Sequence, residues 1–123
     1  MAKKILIVDD EPFVVKVLAN RLEASNYEVI SAYDGQEGLK KVHDEKPDLI
    51  ILDLILPKIN GYEICNMLKK DKTFSEIPII IISGRTTRED MKLAEEAAAD
   101  AYIIKPFDRE TLLSKIEELL EGG

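Results

Sequence analysis

Five residues spread along most of the chain are of types that could do chemistry together: Asp9, Asp10, Asp53, Ser83 and Lys105. Each follows a short apolar run, at residues 5–8, 49–52, 79–82 and 102–104. Three carboxylates gathered in one place repel one another, and a divalent cation is the usual means of holding them together. A ligand set made only of oxygen suits Mg²⁺, which takes few protein ligands and keeps positions for water and phosphate. A hydroxyl and an ammonium beside such an ion can hold the remaining oxygens of a phosphoryl group. Acid, metal and cation together describe phosphoryl transfer, a reaction dominated by positioning and charge neutralisation.

For those residues to meet, the apolar runs must be strands of one parallel sheet. They are short, rich in β-branched residues and without polar alternation, as strands buried on both faces are. Parallel strands share a C-terminal edge, and open α/β sheets place their ligand sites there. Helical patterns separate the strands. Pro12 suits a first turn, and Val14, Val17, Leu18 and Leu22 recur at helical spacing. Residues 28–32 read as a weaker strand near an edge. Asp34-Gly35 turns into a short helix with Leu39 and Val42 that stops before Pro47. Pro57 and Asn60-Gly61 break the chain ahead of a helix carrying Tyr62, Cys65 and Leu68. Residues 88–98 read as a helix with a thin face of Met91, Ala94, Ala97 and Ala98. Asp108 is expected to cap a last helix with Leu112, Leu113, Ile116, Leu119 and Leu120 along one side. The order predicts an α/β protein: five βα units in a doubly wound, five-stranded parallel sheet with right-handed crossovers.

Composition sets the outer limits. A chain of 123 residues suits one domain, and 46% hydrophobic with 33% charged residues is a globular mixture. No apolar run approaches the roughly 18 residues of a membrane span, and the start leads into a strand rather than a signal sequence. Cys65, the one cysteine, is expected to be a buried, inert thiol in a reducing cytoplasm. A net charge of −7 argues against direct nucleic-acid binding, and no membrane partner is expected. His43 reads as a solvated surface residue. Phosphate-cradling glycine loops of either common type are absent from the sequence.

The motifs match a family. The chain resembles the receiver domain of two-component response regulators, with the chemotaxis-type single-domain members as the nearest pattern. The resemblance spans residues 3–120 and rests on VDDEP at 8–12, LDLILPKING at 52–61, Ser83-Gly84, and DAYIIKPF at 100–107. It implies a flavodoxin-like fold with strand order 2-1-3-4-5 and one receiver domain over residues 1–123. It also implies that Asp53 is the phosphoacceptor. Asp10 would ligate Mg²⁺ directly, Asp9 largely through water, with Asp53 and the backbone carbonyl of Ile55 completing the protein ligands. Mn²⁺ would be able to substitute. Ser83 and Lys105 would bind the phosphoryl oxygens, Ser83 and Tyr102 would form the switch, and the Lys105–Pro106 peptide would be cis. Ile55 and Arg85 would tune how long the aspartyl phosphate lasts.

By the same resemblance, a sensor histidine kinase or histidine phosphotransfer protein would donate the phosphoryl group. The surface made by the Arg88 helix, the last strand and the Asp108 helix would then signal to a downstream protein or effector domain. Such a protein catalyses only its own phosphorylation and dephosphorylation. Only Glu121, Gly122 and Gly123 follow Leu120, which fits a stand-alone cytoplasmic receiver and fits equally a domain cut from a longer protein. Two departures from the family pattern stand out: Leu56 replaces a common Met, and Ala98 replaces a common Gly, which would strain or remove a left-handed helix cap. Two rival readings share the fold class. One is a small aspartyl-nucleophile phosphatase, disfavoured because Ile55 stands where its second Asp would be. The other is a docking module that never takes phosphate, disfavoured by the intact set of acids and lysine.

Overall fold

The computed structural model describes residues 2–84 and 87–121. Its elements are β1 (Lys4–Val8), α1 (Pro12–Ala24), β2 (Glu28–Ala32), α2 (Gly35–Glu45), β3 (Leu49–Asp53), α3 (Gly61–Lys70), β4 (Ile79–Ser83), α4 (Arg88–Glu96), β5 (Ala101–Ile104) and α5 (Arg109–Glu121). All strands run parallel in the order β2-β1-β3-β4-β5, the doubly wound, flavodoxin-like arrangement expected from the sequence.

The pleat of the three central strands sends alternate side chains to opposite faces, and each face has its own core. Leu6, Val8, Ile50, Leu52, Ile79 and Ile81 pack with Val42, Ile64, Cys65, Leu68 and Ala94 from α2, α3 and α4. Ile5, Ile7, Leu49, Ile51, Ile80 and Ile82 pack with Val15, Leu18 and Leu22 of α1 and with Leu112 and Ile116 of α5. Strands covered on both sides must be apolar at every position, which is why these runs show no alternation. β2 lies at an edge and exposes Glu28, in keeping with its weaker pattern.

Two aspartates to which the sequence assigned no role, Asp48 and Asp100, close the N-terminal edge of the sheet. Asp48 donates its N–H to the Lys4 carbonyl at 2.7 Å, and its Oδ2 accepts the Lys4 N–H at 2.7 Å. Asp100 repeats the arrangement on Ile79, donating at 2.9 Å and accepting at 2.7 Å. Lys69 adds a 2.8 Å ion pair to Asp100 and donates to the Ile77 carbonyl at 2.9 Å. Each carboxylate thus satisfies the first N–H of a neighbouring strand, a group the ladder alone leaves without a partner.

The helices differ from the sequence reading in two places. Val15 joins Leu18 and Leu22 in the core of α1, while Val17 is only half-buried. α4 ends at Glu96 rather than at residue 98, Met91 is 44% exposed and Ala98 is exposed, so the buried face is Asp90 and Ala94, continued by Ala97 at the C-cap. The cap explains this rotation. Thr87 accepts the Asp90 N–H at 3.1 Å and donates its hydroxyl to the Asp90 carboxylate, so this acid can be buried. At the start of α5, Asp108 accepts the Thr111 N–H at 2.7 Å, the cap read from the sequence.

Ala98 adopts the left-handed region with φ 66°. The cap that its methyl was expected to strain or remove is therefore present. Ala98 donates to the Glu95 carbonyl at 2.9 Å and Ala99 to the Ala94 carbonyl at 3.1 Å. A β-carbon in that region costs on the order of 1 kcal/mol. Ala98→Gly is expected to raise stability by about 0.5–1 kcal/mol, the gain being trimmed by glycine's freedom in the unfolded chain. Calorimetric unfolding checks this, and an unchanged or lower midpoint would count against it.

Candidate functional site

Register alone brings the acids together. Val8 pairs with Leu52 across β1 and β3, so Asp9 and Asp53 emerge level on adjacent strands. Ligand oxygens of Asp9, Asp10 and Asp53 all lie within 4.8 Å of one another. Asp9 is fully buried, Asp53 nearly so, and Asp10 is exposed. Lys105, directly after β5, reaches across the edge. Its Nζ lies 3.3 Å from Asp9 Oδ2 and 3.7 Å from Asp53 Oδ2. The peptide between Lys105 and Pro106 is cis.

Every oxygen of Asp9 has work. Oδ2 meets Lys105, and Oδ1 accepts the Glu11 N–H at 2.9 Å. The bond falls one residue short of α1, whose N-cap is Glu11, so Asp9 fixes the loop rather than capping the helix. Asp53 Oδ1 accepts the Ile55 N–H at 3.3 Å. Burial first, and then the charge of Asp9, push the Asp53 carboxyl up to about 6; Lys105 and the Ile55 N–H pull the other way. Among the described residues, three acids therefore share the Lys105 ammonium, a deficit of positive charge. A donor set of carboxylates without sulfur or imidazole fits a hard divalent cation of the Mg²⁺ kind.

Ser83 and Tyr102 lie on the other side of the same edge. Ser83 is the buried last residue of β4, on the pleat that carries Ile79 and Ile81. It pairs with Ile104, and Ile81 pairs with Tyr102, so Ser83 and Tyr102 are diagonal neighbours on one face. Tyr102 is half-buried against the α2–α4 core. Ile55 is 46% exposed just beyond Asp53. Arg85 lies outside the described residues. Cys65 is buried, with its thiol donating to the Ala97 carbonyl and pushed up to about 11 by burial, which suits an inert core residue. No helix among the described residues is long and apolar enough to cross a membrane.

One residue that the sequence marked only as a turn shapes the site. Gly61 donates its N–H to the Leu54 carbonyl at 2.8 Å. A Cβ there would overlap the Asp53 carbonyl oxygen and lie 2.9 Å from Leu54 Cα. Both obstacles are backbone, so neither can rotate away. Gly61→Ala is expected to cost about 1–3 kcal/mol through overpacking and to disturb the Asp53 loop. Denaturant unfolding tests this, and a cost below about 0.5 kcal/mol would mean that the loop yields freely.

A groove of about 440 Å³ opens beside Lys105, between α1 and the segment after β5. Phe13, Val14, Val17 and Phe107 line it, and Phe13 is 77% exposed.

Residues 5–117 match the model of the response regulator receiver domain family. The chain is 43% identical over 120 residues to the alkaline phosphatase synthesis transcriptional regulatory protein PhoP of Bacillus subtilis, covering 98% of this chain and 49% of that protein. It is 44% identical over 117 residues to the response regulator ArlR of Staphylococcus aureus, covering 95% and 52%. The chain thus spans about half the length of the curated relatives it matches. Among solved structures, a CheY-like receiver domain protein from Methanospirillum hungatei superposes with a TM-score of 0.93 at 34% identity, covering 99% of this chain and 96% of that one. Chemotaxis protein CheY4 of Vibrio cholerae superposes with a TM-score of 0.90 at 28% identity, covering 97% and 99%. Sequence motifs, strand order and these likenesses agree, and the chain belongs to the response regulator receiver domain family of two-component signalling.

Proposed function

We propose that Asp53 accepts a phosphoryl group from a phosphohistidine and that the modified acid switches the surface formed by α4, β5 and α5. One observation carries the reading: the Asp53 carboxylate sits at the shared strand edge between two acids and the ammonium of Lys105. With its pKa pushed up to about 6, Asp53 is still mostly ionised at neutral pH and able to attack phosphorus. The Asp53 oxygen–phosphorus bond forms as the histidine nitrogen–phosphorus bond breaks, and imidazole leaves. Asp9, Asp10, Asp53 and the Ile55 carbonyl would hold Mg²⁺ or Mn²⁺, which supplies positive charge to the phosphoryl oxygens. Lys105, already within ion-pair reach of Asp53, meets an oxygen of the transferred group. The protein acts on itself alone, forming and losing its own aspartyl phosphate.

The product carries about two negative charges where the carboxylate carried one. The Ser83 hydroxyl bonds a new oxygen, and Tyr102, its diagonal neighbour, follows inward. Turning a two-state surface from about 1:99 to 99:1 needs roughly 5.5 kcal/mol of differential stabilisation. Two or three charge-assisted hydrogen bonds at about 1.5–3 kcal/mol each are of that size. The buried face of α4 is small, Ala94 and Ala97 beside Asp90, so this helix shifts at low cost.

The donor is a sensor histidine kinase or a histidine phosphotransfer protein, and the apolar groove beside Lys105 suits a helix that brings the phosphohistidine to Asp53. The output is a downstream protein or an effector domain in the cytoplasm, without nucleic-acid contact by the acidic receiver itself. The name of PhoP, a transcriptional regulatory protein of about twice this length, supports the effector-domain form.

Phosphoryl labelling tests the function. Incubation with acetyl phosphate and Mg²⁺ is expected to place one phosphoryl group on the peptide holding Asp53, and a chelator is expected to prevent it. An unlabelled protein under these conditions rules the reading out. Ile55, two residues past the acid and 46% exposed, carries a branched apolar side chain and is expected to impede the attacking water. Ile55→Asn should therefore shorten the phosphate's lifetime, which a decay time course measures; an unchanged lifetime removes Ile55 from that role.

A further inference from the structure

Helix α2 supplies no side chain to the acidic cluster, yet its first residue bears on it. Gly35 is buried behind a reciprocal cap: Asp34 Oδ1 accepts the Glu37 N–H at 2.7 Å, and Glu37 Oε1 accepts the Tyr33 N–H at 2.7 Å. This pair of bonds, a relative of the capping box whose returning bond reaches the residue before the N-cap, fixes where the first turn starts. A Cβ on Gly35 would lie 2.7 Å from Ile64 Cδ1 and 2.9 Å from the Ile59 carbonyl oxygen. The Ile64 methyl can rotate away, whereas the carbonyl moves only with its loop. That loop, residues 54–60, is tied at its far end by the Gly61 N–H to the Leu54 carbonyl. It also holds the acceptor, because the Ile55 N–H donates to Asp53 Oδ1.

We propose that Gly35 is a positioning residue for the divalent-cation site. By letting the first turn of α2 close onto the Ile59 carbonyl, it sets the loop that orients the Asp53 carboxylate and presents the Ile55 carbonyl. The inference rests on the cation reading above. A β-carbon at Gly35 forces the loop outward and turns those oxygens from the arrangement the cation needs. Gly38 provides the contrast: a Cβ there would meet the Val8 methyls at 3.0 and 3.1 Å, side-chain atoms on a strand rather than loop backbone.

The test is a Mg²⁺ titration of the unphosphorylated chain followed by amide NMR shifts, with the acetyl phosphate labelling rate at saturating Mg²⁺ measured alongside. Gly35→Ala is expected to raise the Mg²⁺ Kd by about 10-fold or more, as loss of support behind metal ligands does. Because the same loop orients the attacking Asp53 carboxylate, the labelling rate at saturating Mg²⁺ is expected to fall as well, by about threefold or more. Gly38→Ala is expected to change the Kd by less than about twofold while still lowering the unfolding midpoint. The double variant Gly35→Ala with Ile64→Val, relieved of the methyl contact, is expected to regain stability but keep the weak Kd. It also serves as the folded test if the single variant does not fold. A Gly35→Ala Kd equal to wild type, or a Kd restored by Ile64→Val, overturns the proposal. A wild-type chain that binds no Mg²⁺ overturns the cation reading itself, and this inference with it.

Discussion

The Asp53→Asn protein is expected to take up no phosphoryl group and, without divalent cation, to be more stable than wild type at neutral pH. The first effect follows from removing the nucleophile, and labelling from acetyl phosphate should fall at least about 10²-fold. The second follows from the raised pKa of the buried carboxyl. Folded Asp53 binds its proton up to about pH 6, against an ordinary value of 3.8. Below the ordinary value both states are protonated and the site carries no penalty. As pH rises through the window between the two values, the unfolded chain gives up its proton first, and the native state loses stability. Above about pH 6 the penalty is complete. The shift corresponds to about 3 kcal/mol at most, which relaxation and partial hydration of the site reduce to about 1–2 kcal/mol. Asparagine keeps the shape and removes the charge. Denaturant unfolding in chelator, near pH 4 and near pH 7.5, should show a gap between the two proteins that opens only at the higher pH. Added Mg²⁺ should stabilise wild type more than the variant and close that gap. A variant less stable than wild type at neutral pH would mean that burial and Asp9 do not strain this carboxylate.

Lys105→Met is expected to slow phosphoryl uptake by about 10²–10³-fold, the usual cost of losing one pre-placed charge from a transition-state site. The ammonium already lies within 3.3 Å of Asp9 Oδ2 and 3.7 Å of Asp53 Oδ2, so it needs little reorganisation when the phosphoryl group arrives. Arginine is not expected to rescue the loss, since its planar fork is longer and cannot stand in for a point charge wedged between two carboxylates. Asp9 is fully buried, so deleting its cationic partner should also destabilise the chelated protein. Mg²⁺ should restore part of that stability but little of the uptake rate. Stopped labelling time courses and paired unfolding curves measure both. A lysine that merely decorated the surface would change neither, and that result would remove Lys105 from the site.

The strands, their number and their burial were legible because β1, β3 and β4 are covered on both faces and must be apolar at each step. Polar residues at their C-terminal ends were legible as a cluster for the same reason: parallel strands share an edge. The capped start of α5 at Asp108 and the edge position of β2 were equally local signals, carried by neighbouring residues. Other features depend on distances between segments remote in sequence, and no local pattern encodes them. That Asp90 rather than Met91 faces the core of α4 follows from a cap bond that satisfies the buried acid. The paired clamps of Asp48 on Lys4 and Asp100 on Ile79 exist only once the strands are in register. Asp34-Gly35 and Asn60-Gly61 announce turns in any fold, but only packing reveals that both glycines press on the loop beyond Asp53. Residue types and periodicity thus determined the architecture and the chemistry available at its edge. Tertiary structure decided which oxygens stand close enough to repel, which backbone holds them, and how far burial shifts Asp53, because each of these depends on distance and solvent exclusion.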